Sequence, residues 1–279
     1  MKTWIQAARI PSQFYILIPL MFGWALADEA VSYGPLVLLF LLGLSIQLAI
    51  VFFNDWADYP ADILNPSPTF LSGGSRVLVE NKLTPRQLLY AACWFMLGSM
   101  IWAWFLNSNV LMLTFLAFVI LALYCFPPFQ LSYRGLGEIL QTLGMGCVLP
   151  MMGWASIHSM SDFPFQWLLI LFPMHFALAC LTTIPDYEGD LLAQKQTLIV
   201  RLGHDFVARM IIGALLFAFV LAYALDRISL SSALLLSVCC GLLGSGLKAS
   251  VSSKTQMFSI TMTIAVVLLF HVYCLWTML

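Results

Sequence analysis

The stretch PLVLLFLLGLSIQLAIVFFNDWADYPAD, residues 35–62, decides the fold class. From Pro35 to Phe53 it carries no charge, close to the length of helix needed to cross about 30 Å of hydrocarbon. It then ends in three aspartates and an asparagine within nine positions, in a chain whose charged residues are only 9% of the total. An apolar run that delivers a cluster of acids to its own end is the pattern to explain.

Working outward, the same kind of run recurs along all 279 residues, 62% of which are hydrophobic, with a mean hydropathy of +0.95. An average soluble domain is only about 45–50% apolar. The pattern predicts an all-α integral membrane protein: a bundle of nine transmembrane helices near 13–28, 35–54, 87–106, 109–127, 136–157, 164–184, 206–225, 229–247 and 256–278. The first run has basic flanks, as a signal peptide would. However, it contains Pro19 and meets no small-residue cleavage site before Asp28 and Glu29, so it counts as a span.

Alternate threading of nine spans puts Lys2, Arg9, Arg76, Lys82, Arg86, Arg134, Lys195, Arg201, Arg209, Lys248 and Lys254 on one side and Arg227 on the other. By the positive-inside rule the crowded side is cytoplasmic, with the N-terminus inside and the C-terminus outside. A net charge of -1 without a basic tail excludes a nucleic-acid partner and leaves lipidic or small ones. The seven cysteines lie in apolar runs without a CxxC pair, so neither a disulfide framework nor a zinc site is indicated. His158, His175, His204 and His271 are scattered and read as packing or surface residues. No Gly/Ser-rich or Pro-rich linker divides the chain, which reads as a single membrane domain, 1–279.

At about 100° per helical residue, Asp55, Asp58 and Asp62 project within one sector of roughly 60°, with Asn54 at its edge. Pro60 predicts a kink or helix end nearby, because its ring clashes one turn back. A second cluster lies in TTIPDYEGDLLAQKQTLIVRLG, residues 182–203. There Asp186 and Asp190 share a face, while Glu188 points about 160° away and reads as solvated. Both clusters close even-numbered spans, four spans apart, which suggests two related helical halves, about 1–130 and 131–279.

Like charges gathered beside a membrane repel one another unless a cation neutralises them. Carboxylates and an amide oxygen, without Cys or His, suit a hard ion; Mg²⁺ typically keeps waters and is shared between a few carboxylates and phosphate oxygens. Arg76, Lys195 and Arg201 occupy the same two loops and can meet the outer oxygens of that phosphate. Together these residues describe a diphosphate site at the edge of an apolar body. A secondary transporter also binds ions on acids, but near the midplane and between inverted halves, whereas these acids lie at span ends and four spans give parallel halves.

NDWADYPAD fits N-D-x-x-D-x-x-x-D, and DYEGDLLAQKQTLIVRLG fits D-x-x-x-D followed by a lysine and T-L-x-V-R-L-G. These resemble the paired signatures of the UbiA superfamily of intramembrane prenyltransferases, and GGSRVLVENKLTPRQL (73–88) and LSYRGLGEI (131–139) are similar to its MenA branch. The resemblance extends over about residues 9–205. It implies a bundle with a central cavity, in which Asn54, Asp55, Asp58, Asp62, Asp186 and Asp190 hold Mg²⁺ and an isoprenyl diphosphate, the five aspartates being the catalytic set. It also implies that Lys195 and Arg76 are cationic partners, that Tyr133 contributes to diphosphate binding and Arg134 to acceptor binding, and that the bacterial inner membrane is the location. The acceptor implied is 1,4-dihydroxy-2-naphthoate in menaquinone or phylloquinone biosynthesis, with 4-hydroxybenzoate or another phenol or quinol as the alternative. The chain departs from the branch at Arg9-Ile10-Pro11, at Thr182 and Thr183, and at Gln194.

Overall fold

The computed structural model describes residues 1–27, 33–69, 72–248, 250 and 252–278, with side chains through Cys274. The described residues form helices joined by short turns, without a strand. A short helix α1 (Lys2–Ala7) leads into α2 (Gln13–Ala25), α3 (Tyr33–Ala57), α4 (Tyr59–Leu64), α5 (Pro85–Leu106) and α6 (Ser108–Cys125). After a loop come α7 (Gly137–Leu143), a π-helical turn (Gly144–Val148) and α8 (Leu149–Ala155). The chain continues as α9 (Gln166–Thr183), α10 (Tyr187–Leu192), α11 (Leu198–Leu202), α12 (His204–Ala224), α13 (Leu230–Gly244) and α14 (Ser253–Met278).

Among the described residues, seven helical stretches are long and apolar enough to cross a bilayer. They are α3, α5, α6, α9 continued through α10, α12, α13 with its last turn, and α14. The expected spans 13–28 and 136–157 take other forms. The first is a helix of 13 residues with Pro19 inside it, about 20 Å long. The second is two seven-residue helices joined by the π turn. Asp28 and Glu29, which bounded the first expected span, lie outside the described residues.

Helices α2 and α8 pack backbone to backbone. A Cβ added to Gly23 would overlap the Pro150 carbonyl, and one added to Gly153 would overlap the Leu20 carbonyl, so only glycine permits this crossing. Two apolar clusters flank it. One gathers Leu39, Leu42, Ile46, Leu88 and Met152 from α3, α5 and α8; the other gathers Ile170, Met174, Ile211, Phe219 and Phe270 from α9, α12 and α14. Phe22 of α2 joins the second, edge-on to Trp167 at 5.1 Å and to His271 at 5.3 Å. Trp94, Trp104, Phe105, Phe115 and Leu242 stand exposed on outer faces of α5, α6 and α13, an arrangement suited to lipid rather than water. The polar site forms where α3 and α9 end and their continuations α4 and α10 pack against each other.

Candidate active site

Helix α3 stops at Ala57 because Pro60 cannot continue it, and Asp58 becomes the N-cap of α4. The helical path nevertheless survives the break. Asp58 N–H donates to the Asn54 carbonyl at 2.8 Å and Asp62 N–H to the Asp58 carbonyl at 2.8 Å, which keeps Asp55, Asp58 and Asp62 in phase. Asp55 is 3% exposed and Asp58 is buried, while Asp62 lies half-buried beyond them. In the second cluster α9 tightens into a 3-10 turn, Ile184–Asp186, before Asp186 caps α10. Asp190 points into the protein, whereas exposed Glu188 accepts from Ser67 Oγ at 2.9 Å on the outside.

The loop at 73–76 ties the two clusters together. Gly73 N–H donates to Asp186 Oδ1 at 2.9 Å, and Ser75 N–H donates to Asp55 Oδ2 at 3.2 Å. The Ser75 hydroxyl and the Arg9 guanidinium also bond Asp55. Arg76 Nη1 donates to the backbone carbonyl of Asp62 at 2.6 Å. Such a loop needs left-handed backbone, with φ of 75° at Gly73 and 69° at Gly74. A Cβ at Gly74 would overlap the Asp62 carboxylate.

Lys195 stands between the clusters, its ammonium 3.1 Å from Asp58 Oδ2 and 3.8 Å from Asp190 Oδ1. It is 9% exposed. Burial alone would discharge it, but Asp58 and then Tyr124 and Asp190 hold it well above the usual lysine range. The Tyr133 ring lies 5.3 Å from the ammonium. Thr197 Oγ1 donates to Asp190 Oδ2 at 3.1 Å. At Asp62 burial first, then Asp55 and Asp58, outweigh the opposing Arg9 guanidinium and raise the carboxyl to about 7.

Asn54, Asp58, Asp62, Asp186, Asp190 and Lys195 thus line one cavity of about 50 Å³. Asp55 backs its wall through Arg9 and Ser75. Of the other expected residues, Arg76 braces the wall by its bond to Asp62, and Tyr133 overlies Lys195. Arg201 and Arg134 do not line the cavity. Arg201 is exposed, with its guanidinium against Gly135, and exposed Arg134 donates to the Pro128 carbonyl at 2.8 Å. Beyond the expected set the cavity includes Arg9 and Asn65, the latter buried with its amide beside Gly73 and Gly189. In the sequence Arg9 counts only among the basic residues of the crowded face, not among the site candidates. The signal that it differs is its place in a tight turn, at φ 43°, which folds α1 back over the acids. A separate, mainly apolar pocket of about 350 Å³ lies nearby, bounded by Trp56, Tyr59, Phe126 and Gln130.

The donor set fits a hard divalent ion. The cavity offers the carboxylate oxygens of Asp58, Asp62, Asp186 and Asp190 and the amide oxygens of Asn54 and Asn65. Among the described residues no three of His, Cys, Asp and Glu converge on a single point, and Arg9, Ser75, Gly73, Lys195 and Thr197 bond several of these carboxylate oxygens.

An all-helical body with membrane-length spans and an acidic cavity at their ends defines an integral membrane protein with a polar site where its spans end. The chain belongs to the UbiA prenyltransferase family, whose model matches residues 16–252, beyond the motif-bearing 9–205. It is 29% identical over 223 residues to a 2-carboxy-1,4-naphthoquinone phytyltransferase of Synechocystis sp.. That match takes in 72% of this chain, and the chain spans 66% of that relative's length. The fold superposes on a UbiA homologue from Archaeoglobus fulgidus bound to DMAPP and Mg²⁺ with a TM-score of 0.73 at 16% identity, covering 98% of this chain and 99% of that one. It also superposes on the apo structure of a UbiA homologue from Aeropyrum pernix K1, with a TM-score of 0.72 at 16% identity over 92% and 96% of the two chains. These likenesses establish the fold.

Proposed function

We propose that the protein transfers a prenyl group from an isoprenyl diphosphate to an aromatic acceptor, 1,4-dihydroxy-2-naphthoate, with Mg²⁺ as cofactor. The observation that carries this reading is the meeting of two acid clusters, distant in sequence, at one polar cavity with Lys195 between them. Family membership and the similarity to a naphthoquinone phytyltransferase support both reaction and acceptor class.

Asn54, Asp55, Asp58, Asp62, Asp186 and Asp190 would hold Mg²⁺ and, through it, the diphosphate. When bound, the ion supplies Lewis-acid stabilisation of the charge that develops on the leaving group. Lys195 and Arg9 meet diphosphate oxygens directly, exchanging carboxylate partners for phosphate ones, while Arg76 and Tyr133 brace the walls. These fixed charges favour heterolysis of the allylic C–O bond, whose electron pair leaves with the diphosphate. The acceptor ring attacks the resulting allylic carbon, and loss of CO₂ from the same ring position restores aromaticity. Helix packing keeps water from the cation until the ring captures it. Arg134 and Arg201, exposed in the structure, serve at most at the rim.

The proposal extends to architecture. The chain forms one membrane domain of nine crossings and two halves, with α2 and the interrupted α7–α8 segment completing the seven long spans. It lies in a bacterial inner membrane, with the N-terminus and acidic loops cytoplasmic and the C-terminus outside, in keeping with the distribution of Lys and Arg.

Purified protein offered dihydroxynaphthoate and 4-hydroxybenzoate, each with prenyl diphosphates of several lengths, tests the acceptor. Mass spectrometry should find a decarboxylated prenyl naphthohydroquinone, or the quinone it oxidises to in air. Prenyl hydroxybenzoate with its carboxylate retained, and no naphthohydroquinone or quinone product, would overturn the acceptor assignment.

A further inference from the structure

The segment LSYRGLGEI contains a buried acid that the reaction above does not use. Glu138, in the first turn of α7, is 1% exposed. Its Oε1 accepts the backbone N–H of Leu198 at 2.8 Å, across 60 residues of sequence, while Oε2 has no hydrogen-bond partner among the described residues. The acid stands on a firm base, because Thr142 Oγ1 donates to the Glu138 carbonyl at 2.6 Å and α7 packs on α9.

Leu198 opens α11, and the residues just before it serve the acid cavity. Lys195 reaches Asp58 and Asp190, and Thr197 donates to Asp190. The turn carrying them closes α10 on one side, where Lys195 N–H donates to the Asp190 carbonyl at 2.8 Å and Gln194, at φ 57°, donates to the Leu191 carbonyl at 3.2 Å. It is pinned from outside by one stretch of chain: Gln196 N–H donates to the Tyr133 carbonyl at 3.2 Å, and Leu198 N–H to the Glu138 carboxylate. The two bonds flank Thr197 and lie just beyond Lys195. A backbone N–H bonded to a buried carboxylate is a strong anchor, and without the acceptor that N–H is left unpaired in the interior. The long, flexible lysine stem would then lose the fixed base from which it spans the two acid clusters.

We propose that Glu138 is the positioning residue that fixes the Lys195 turn for prenyl diphosphate binding, acting through Leu198 N–H and touching no substrate. This deepens the reaction proposed above and rests on it. Three measurements on the full chain in nanodiscs test it: hydrogen exchange of the peptide containing Leu198 without substrate, calorimetric binding of an unreactive prenyl thiolodiphosphate with Mg²⁺, and steady-state KM for each substrate. Glu138→Ala should speed exchange at Leu198 and weaken thiolodiphosphate binding, each about tenfold, and raise KM for the prenyl diphosphate equally while leaving the acceptor KM within about twofold. Glu138→Gln supplies the same acceptor oxygen and should recover most of each loss. Leu198→Pro removes the donor at a first-turn position where proline is tolerated, so it should reproduce the Glu138→Ala pattern and decides the matter if Glu138→Ala does not fold. Unchanged exchange, or equal losses for both substrates, overturns the proposal. A wild-type protein that turns over no prenyl diphosphate refutes the reaction instead, and the exchange and binding arms still decide the role of Glu138.

Discussion

The ammonium of Lys195 lies 3.1 Å from Asp58, although 137 residues separate them in sequence. The same ammonium reaches toward Asp190 at 3.8 Å, so one cation bridges the ends of α3 and α9. Lys195→Gln should leave both carboxylates without that partner and weaken prenyl diphosphate binding by about tenfold or more. Calorimetry with a thiolodiphosphate checks it; unchanged affinity would mean that the lysine only neutralises the empty cavity.

Removing an acid should cost more than removing an acid's neighbour. Asp58→Asn and Asp190→Asn are each expected to lower kcat/KM by about 10², comparable with losing a major electrostatic stabiliser. Glu188→Gln should change it less than about threefold, since Glu188 is exposed and bonded only outward to Ser67. Equal losses at Glu188 and Asp190 in folded protein would refute this division of the second cluster.

The sequence makes the acids legible for a physical reason. Helical phase depends only on spacing, and the bonds from Asp58 N–H to Asn54 and from Asp62 N–H to Asp58 preserve that phase through the break at Pro60. Arg9 was not legible as a site residue, because its place depends on the turn at φ 43° that brings it over Asp55, and spacing carries no signal of that. The same holds for Asn65 and Glu138, whose partners lie across tertiary contacts. Hydropathy predicts full spans at 13–28 and 136–157, where the structure has a 13-residue helix and two seven-residue helices joined by a π turn; that turn lies beside α9, where Gly146 faces His175 and Leu171. His175 and His271, read as unrelated, stack edge-on with ring centres 5.3 Å apart.

Gly74→Ala tests the loop that joins the clusters. At φ 69°, with the Asp62 carboxylate where a Cβ would go, alanine must displace either the loop or the acid. Activity should fall by about tenfold or more with modest loss of thermal stability. Wild-type activity would show that the loop is free to move.

Asp62 gives the site a pH dependence of defined sign. Its carboxyl is raised from 3.8 to about 7, so between those values the folded protein keeps a proton that the unfolded chain releases. Stability without metal should therefore fall as pH rises across that window and level off above about 7. Mg²⁺ prefers the ionised acid, so thermal stabilisation by Mg²⁺ should grow from about pH 6 to about pH 8, and Asp62→Asn should flatten that growth. Growth of equal size in Asp62→Asn would assign the titration to another group.

Orientation follows from the basic residues. A cysteine placed at Gln196, exposed between the second acid cluster and α12, should react with an impermeant maleimide only from the cytoplasmic side, against the unsubstituted protein as background. Labelling from outside intact cells would contradict both the topology and a cytoplasmic site.

The most direct test of the central claim is pyrophosphate release by purified protein given a prenyl diphosphate and dihydroxynaphthoate, with product followed by mass spectrometry. The account predicts one pyrophosphate per prenylated ring, abolished by EDTA, restored by Mg²⁺ and reduced about 10² in Asp58→Asn and Asp190→Asn. Product formation that is indifferent to Mg²⁺ and to both aspartates, or no pyrophosphate release from folded protein with any aromatic acceptor, would contradict it.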